Sequence, residues 1–427
     1  MNVLSMSARE RAEMLAKEKA AYASLCAQGL SLDLSRGKPA ADQLDLSMDL
    51  LNAPLSTADM MVDGVDCRNY GAPFGLPSMR RFWGELVGVD PEQIIIGGPS
   101  SLNLMYDTVV RCLLYGTASS PRPWSREGEI IFLCPSPGYD RHFGICESLG
   151  IRMIPVEMTE NGPDMAQVEQ LVQNPAVKGI WCVPKYSNPT GITYSEETVR
   201  RLARMPCAAP DFRIFWDNAY MIHDLYAQGD TLADIFALCR EAGTEGRVFY
   251  FTSSSKITFP GAGVAMMAAS ESNLALIRPQ MCAQVICHDK INQLRHLRFL
   301  RDKAGVQAQM RRQADLIRGK FRILLDTLQA RLGGLGIARW TDPHGGYFVS
   351  LDVPDGCAQR VYDLCREAGV TLTKAGSTYP YGKDPHDRNL RLAPTYPTEE
   401  QLRAAAEVLC CAVRLAALEK LEQTGTR

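Results

Sequence analysis

Apolar positions along the chain follow two rhythms. Residues 8–28 mix charged and apolar side chains at the spacing of an amphipathic helix. Leu32-Asp33-Leu34 and the polar turn Ser35-Arg36-Gly37-Lys38-Pro39 then break that pattern. From about residue 78, helical stretches alternate with short, almost wholly apolar runs at 93–96, 129–133, 179–183, 212–216 and 248–252. Each is about four to six residues long and is closed within a residue or two by Gly, Pro, Ser or Asp, as buried parallel strands are. Right-handed crossovers between such strands place the helices on both faces of one sheet.

Past residue 285 the texture changes. A basic helical stretch at 290–330 leads to Gly333-Gly334, a strand-like segment at 347–351, and a last helix. Thr398 reads as the N-cap of that helix, with Gln401 three residues on at capping-box spacing. The layout predicts an α/β protein with a mostly parallel central sheet in a large domain, residues 46–320. Residues 1–45 and 321–427 would form a smaller α+β domain from both chain ends. Segment 117–128, with Pro121, Pro123 and several serines, reads as the most exposed loop.

Composition adds exclusions. The 427 residues are enough for two or three structural units. The 46 basic and 48 acidic side chains give a net charge of -2, without the basic excess of a nucleic-acid binder. No apolar run approaches the ~20 residues that span a bilayer. Charges at Arg9, Glu10, Arg11, Glu13, Lys17 and Glu18 interrupt the apolar core a signal peptide needs. The fourteen cysteines are scattered, and Cys134, Cys182 and Cys365 sit inside apolar runs, where a free thiol serves as a small hydrophobe. These features predict a reduced, cytoplasmic protein without a metal site or a membrane or nucleic-acid partner.

Chemistry-bearing residues follow the apolar runs, where open α/β sheets bind ligands. After 94–96 come Gly97-Gly98-Pro99-Ser100-Ser101 and a helical pattern: a glycine turn, hydroxyls and a helix N-terminus, which together suit an anion. A tight turn with a Ser cap explains the same residues. After 212–216 comes Asp217-Asn218-Ala219-Tyr220; an aspartate there needs a cationic partner, such as a pyridinium N–H, or else caps a helix. After 248–252 come Ser253-Ser254-Ser255-Lys256, a lysine among hydroxyls that suits a Schiff-base amine, although most lysines are solvated. After 179–183, Asn188-Pro189-Thr190-Gly191 forms a stiff turn that projects an amide toward the same edge, or is simply a turn. Each feature alone has a structural explanation; four in this order point to one site.

These motifs resemble those of the class I/II aminotransferases, pyridoxal 5′-phosphate-dependent transferases of fold type I. Within them the chain is most similar to the bacterial aspartate aminotransferase subgroup Ic. The resemblance runs through SRGKP at 35–39, RNYG at 68–71, GGPSSLNLMYD at 97–107 and CPSPGYDRHF at 134–143. It continues through YSNPTG at 186–191, DNAY at 217–220, SSSK at 253–256 and LRLAPTYP at 390–397. It implies that Lys256 carries the cofactor covalently and moves the substrate Cα proton, with Asp217 on the pyridine nitrogen and Tyr220 and Asn188 on the ring oxygen. Tyr139 would stack on the ring, and Ser100, Ser101, Ser253 and Ser255 would cup the phosphate. Tyr70 would reach the phosphate of a partner subunit, which implies a homodimer with shared sites. Arg391 would grip the substrate α-carboxylate, and Gly37 belongs to a loop that closes over it.

Two departures stand out. The family's phosphate-binding arginine, eight residues after the lysine, is replaced by Val264, and Pro99 removes one N–H from the glycine turn. The resemblance implies transamination between L-aspartate and 2-oxoglutarate, with Lys290, Arg295 or Lys38 as the cation for the distal carboxylate. The alternatives are an aminotransferase for aromatic or other neutral amino acids, a β-lyase, or a cofactor-binding regulator. The last is disfavoured because Lys256, Asp217 and Arg391 are all present.

Overall fold

The computed structural model describes residues 2–425. Its centre is an eight-stranded sheet: β1 (Ile94–Ile96), β2 (Ile131–Ser136), β3 (Arg152–Thr159), β4 (Gly162–Pro163), β5 (Val177–Cys182), β6 (Arg213–Asp217), β7 (Val248–Ser253) and β8 (Ala265–Ala269). The spatial order is β1-β8-β7-β6-β5-β2-β3-β4. The run β7-β6-β5-β2-β3 is parallel, whereas β8 lies antiparallel to β7 and β1, and β4 antiparallel to β3. Every predicted apolar run is a strand of this sheet. Two long strands lie outside that prediction. β3 alternates buried and exposed positions, and β8 reads Ala-Met-Met-Ala-Ala, good helix formers that become a strand because β7 and β1 supply hydrogen bonds on both sides.

The chain ends meet. Leu32–Asp33 pairs in parallel with Val370–Thr371, and Arg339–Trp340, Val349–Asp352 and Asn389–Leu392 form a three-stranded antiparallel sheet. One apolar core takes Val3, Leu15 and Leu34 from the start of the chain and Leu351, Val361 and Leu409 from its far end. Helix Ala8–Cys26 opens on a capping box, with Ser7 N–H donating to Glu10 at 2.7 Å and Glu10 N–H to Ser7 Oγ at 3.3 Å. The box expected before the last helix is present: Thr398 N–H donates to Gln401 Oε1 at 3.0 Å, and Gln401 N–H to Thr398 Oγ1 at 3.2 Å.

The basic stretch at 290–330 is two helices rather than one, Lys290–Leu300 and Lys303–Leu332. Arg301 turns to a φ of 61° between them, and Asp302 caps the second by accepting from Gly305 N–H at 2.8 Å. The only Gly or Pro that marks the break is Gly305, where a Cβ would overlap the Leu300 carbonyl, so helical periodicity otherwise runs through it in sequence.

Segment 117–128 is mostly exposed, as expected, but it is pinned from below. Trp124 is fully buried and its Nε1 donates to Asp211 at 2.8 Å, beside Ser120 Oγ at 2.7 Å. Asp211 also receives the buried Lys178 ammonium at 2.7 Å, which Glu127 shares at 2.5 Å. Removing one member of a buried ion group leaves charge uncompensated. Asp211→Asn is therefore expected to cost about 3 kcal/mol, at the low end of that penalty because Glu127 still faces Lys178. Urea unfolding followed by tryptophan fluorescence checks this; an unchanged midpoint would show that the network carries no net stability.

Candidate active site

The carboxyl ends of β1, β2, β5, β6 and β7 lie at one edge of the sheet, and the predicted residues gather there. A cavity at this edge is lined by Ser100, Ser101, Tyr139, Asp217, Ser253 and Lys256, among others. Asp217 is the last residue of β6 and only 2% exposed. Its Oδ2 lies 3.0 Å from Nε2 of His142, while its Oδ1 is buried without a hydrogen-bond partner. His142 is held in turn by the indole of Trp181, stacked at 4.4 Å between ring centroids and 11° between planes. A buried carboxylate with one partnered and one open oxygen is poised for a cationic N–H.

Lys256 follows β7 in a short 3-10 turn, with its ammonium 4.9 Å from the centre of the Tyr220 ring. Burial pushes the Tyr220 phenol above its usual range, with Arg391 the main opposing charge. Tyr139 starts the turn into helix Asp140–Ser148; burial pushes its phenol up to about 12, opposed by the Lys256 charge. Beneath Tyr220 lies His223, 3% exposed and with neither ring nitrogen hydrogen-bonded. Burial, then the Lys256 charge, hold it down to about 3, so it stays neutral in the physiological range.

The serines divide their work. Ser100 caps helix Ser101–Tyr115, accepting from Leu102 N–H at 3.2 Å, as the structural explanation of that residue expects. Ser253 Oγ donates to Ser255 Oγ at 3.0 Å, and Ser255 Oγ to the Pro99 carbonyl at 2.7 Å, which ties the β7 turn to the glycine turn. Val264 is 2% exposed and packed in the core, so no charged side chain enters from that position. Its N–H instead donates to Ser254 Oγ at 2.8 Å.

Arg391 projects from Asn389–Leu392 and brings the smaller sheet to the same place. Its Nη1 lies 3.4 Å from Asn188 Oδ1 and 3.2 Å from Asp140 Oδ1, and the guanidinium sits 4.9 Å from the centre of the Phe348 ring. Gly37 packs so closely on that ring that a Cβ would overlap it. Lys38 lies elsewhere, 4.3 Å over Tyr396. Lys290 is buried, neither on a solvated face nor free, because its ammonium donates to the carbonyls of Asn69 at 2.6 Å and Gly71 at 3.1 Å. It thus braces the turn that carries Tyr70, which is 77% exposed. Arg295 is half-buried, and its Nε has no hydrogen-bond partner.

Sequence reasoning missed His142, Asp140 and His223. The first two lie in the stretch 134–143 that carries the resemblance, but no rule of residue spacing assigns an interior helical His to an aspartate 75 positions away.

The chain has relatives among known proteins. An aspartate aminotransferase of Corynebacterium glutamicum is 46% identical over 94% of this chain and 93% of its own. A crystal structure of an aspartate transaminase from the same species superposes with a TM-score of 0.96 at 44% identity, covering 98% of this chain and 99% of that one. An α-aminoadipate aminotransferase of Thermus thermophilus, at 22% identity, covers 92% of this chain and 93% of that one with a TM-score of 0.72, and shares the fold. A family model described as aspartate amino-transferase matches residues 6–425. The chain is an aminotransferase of the pyridoxal-phosphate fold type I and belongs to the aspartate amino-transferase family.

Proposed function

We propose that this aminotransferase exchanges the amino group of L-aspartate with 2-oxoglutarate, using pyridoxal 5′-phosphate. The observation that carries the cofactor assignment is the open Oδ1 of buried Asp217, at the floor of a cavity that also holds Lys256 and four serines. That donor set fits the group. Asp217 would hold the ring N–H, Tyr139 a ring face, Tyr220 and Asn188 the ring oxygen. The serines and the N-terminus of helix Ser101–Tyr115 would hold the phosphate without an arginine. When bound, pyridoxal phosphate supplies an electron sink for the pair left at Cα.

The chain's own groups do the rest. Lys256 Nζ would take the Cα proton and return it beyond the intervening nitrogen, acting as base and then acid on one face. Asp217 would accept the ring N–H and so keep that nitrogen protonated; His142 holds the carboxylate in place. Arg391 grips the α-carboxylate, with Asn188 beside it. For the distal carboxylate we assign Arg295, supplied by a second copy of the chain. It is the candidate left over, since Lys290 is committed to carbonyls and Lys38 sits over Tyr396. The exposed Tyr70 is assigned across the same dimer interface. We also propose the domain division 46–320 against 1–45 with 321–427, supported by the shared core of the two chain ends. A cytoplasmic setting is supported by fourteen cysteines that all stay free.

Incubation with aspartate and 2-oxoglutarate should yield glutamate and oxaloacetate; pyruvate and ammonia formed without a keto acid from an amino acid bearing a β-thiol or thioether leaving group would identify a lyase instead. Arg391→Lys keeps the charge but loses the planar fork, so KM for aspartate should rise about 10- to 100-fold with kcat less affected. Steady-state kinetics decide it, and an unmoved KM would remove Arg391 from the carboxylate site.

A further inference from the structure

Arg391 already holds a carboxylate, and it comes from the chain itself. Asp140 Oδ1 lies 3.2 Å from Nη1 of Arg391; the two side chains are 33% and 10% exposed. Neither residue depends on the other for its position. Arg391 is fixed by Thr373 Oγ1, which lies 3.3 Å from its Nε and 3.2 Å from its Nη2, by Asn188 at 3.4 Å, and by the face of Phe348. Asp140 is fixed as the first residue of the nine-residue helix Asp140–Ser148, where the helix dipole favours a negative charge. That short helix sends Asp140 to Arg391 and His142 to Asp217, with Tyr139 immediately before it.

We propose that Asp140 is an internal competitor for Arg391, one that the substrate α-carboxylate must displace, and that it thereby sets substrate affinity rather than turnover. The pairing uses Nη1, one of the donors a bidentate carboxylate would take. It also cancels much of the charge that would otherwise draw an anion into the cleft. The proposal rests on Arg391 being the α-carboxylate site. An ion pair made only to hold the fold would be redundant here, because Thr373, Asn188 and Phe348 already fix the guanidinium. Substrate in turn meets a guanidinium that is pre-oriented but occupied. Such an arrangement weakens ground-state binding without touching the atoms that react.

The test uses holoenzyme and the unreactive dicarboxylate maleate, titrated through the cofactor absorbance, with steady-state kinetics on aspartate. In Asp140→Asn the maleate Kd and the aspartate KM should both fall roughly three- to tenfold, with kcat within about twofold. Asp140→Glu, which restores the charge, should return both toward the parent values. Thermal unfolding monitors the cost of the helix charge, and Asp140→Ser, a good N-terminal residue, serves as second variant should the Asn protein fold poorly. Unchanged or weaker maleate binding in both folded variants overturns the proposal. If that happens while Arg391→Lys still raises KM, only the competitor role falls. If Arg391→Lys also leaves KM unmoved, the assignment of Arg391 falls first.

Discussion

Lys256→Ala should abolish useful transamination, lowering kcat by about two to four orders of magnitude, the range a positioned general base supplies. The lysine's side chain lies in the cavity with Asp217, and its amine is 4.9 Å from the Tyr220 ring centre. No other described amine lines that cavity, so no neighbour stands ready to take over the proton. Two further readouts separate loss of chemistry from loss of fold. Borohydride reduction should no longer attach cofactor to the polypeptide. Small primary amines added to the buffer should restore part of the rate, because they can enter the space the side chain leaves. A Lys256→Ala protein with full activity would sink the mechanism.

Asp217→Asn should have the next largest effect, a fall in kcat of about two to three orders of magnitude, comparable with removing a preorganised electrostatic partner. The variant keeps shape and the contact with His142 but loses the negative charge. Its more informative consequence concerns stability. In the parent protein a carboxylate 2% exposed has a hydrogen bond on one oxygen and none on the other. Such a charge is costly until a cation meets it. Asp217→Asn should therefore stabilise cofactor-free protein by about 1–3 kcal/mol while reducing the stabilisation gained on adding pyridoxal phosphate. Calorimetric unfolding of both proteins with and without cofactor gives the four values required. A variant destabilised in the cofactor-free form would contradict the account of Asp217 as an anion waiting for its partner.

Much of this site could be read from the chain because its parts are local. Asp217 follows directly on a buried apolar run, and Lys256, Asn188 and Ser100 follow within about five residues of one, where the strand end limits where a residue can point. The strands were recognisable because burial on both faces forces continuous Val, Ile and Phe. Where that signal weakened, the reading weakened with it. β8 is written in alanine and methionine, and becomes a strand only because β1 and β7 flank it. The break at Arg301 is marked only by Gly305 four residues on, and the buried Trp124–Asp211–Lys178 group joins residues 33 to 87 positions apart.

Lys290 shows the same limit from the other side. A lysine in a basic helical stretch reads in sequence as solvated or ligand-binding, with nothing to signal burial. The carbonyls of Asn69 and Gly71 decide the matter, and they lie 221 and 219 positions away.

By itself the sequence determined the family, the candidate lysine and aspartate, and the apolar runs that become the strands presenting them, since each depends on residue type next to a short apolar run. The tertiary structure alone decided which groups stand behind these: His142 on Asp217 and Asp140 on Arg391. Those contacts join elements far apart in the chain, and no periodicity carries over such distances. They arise only when the helix after β2 and the smaller sheet are packed against the same edge, and there the charges meet.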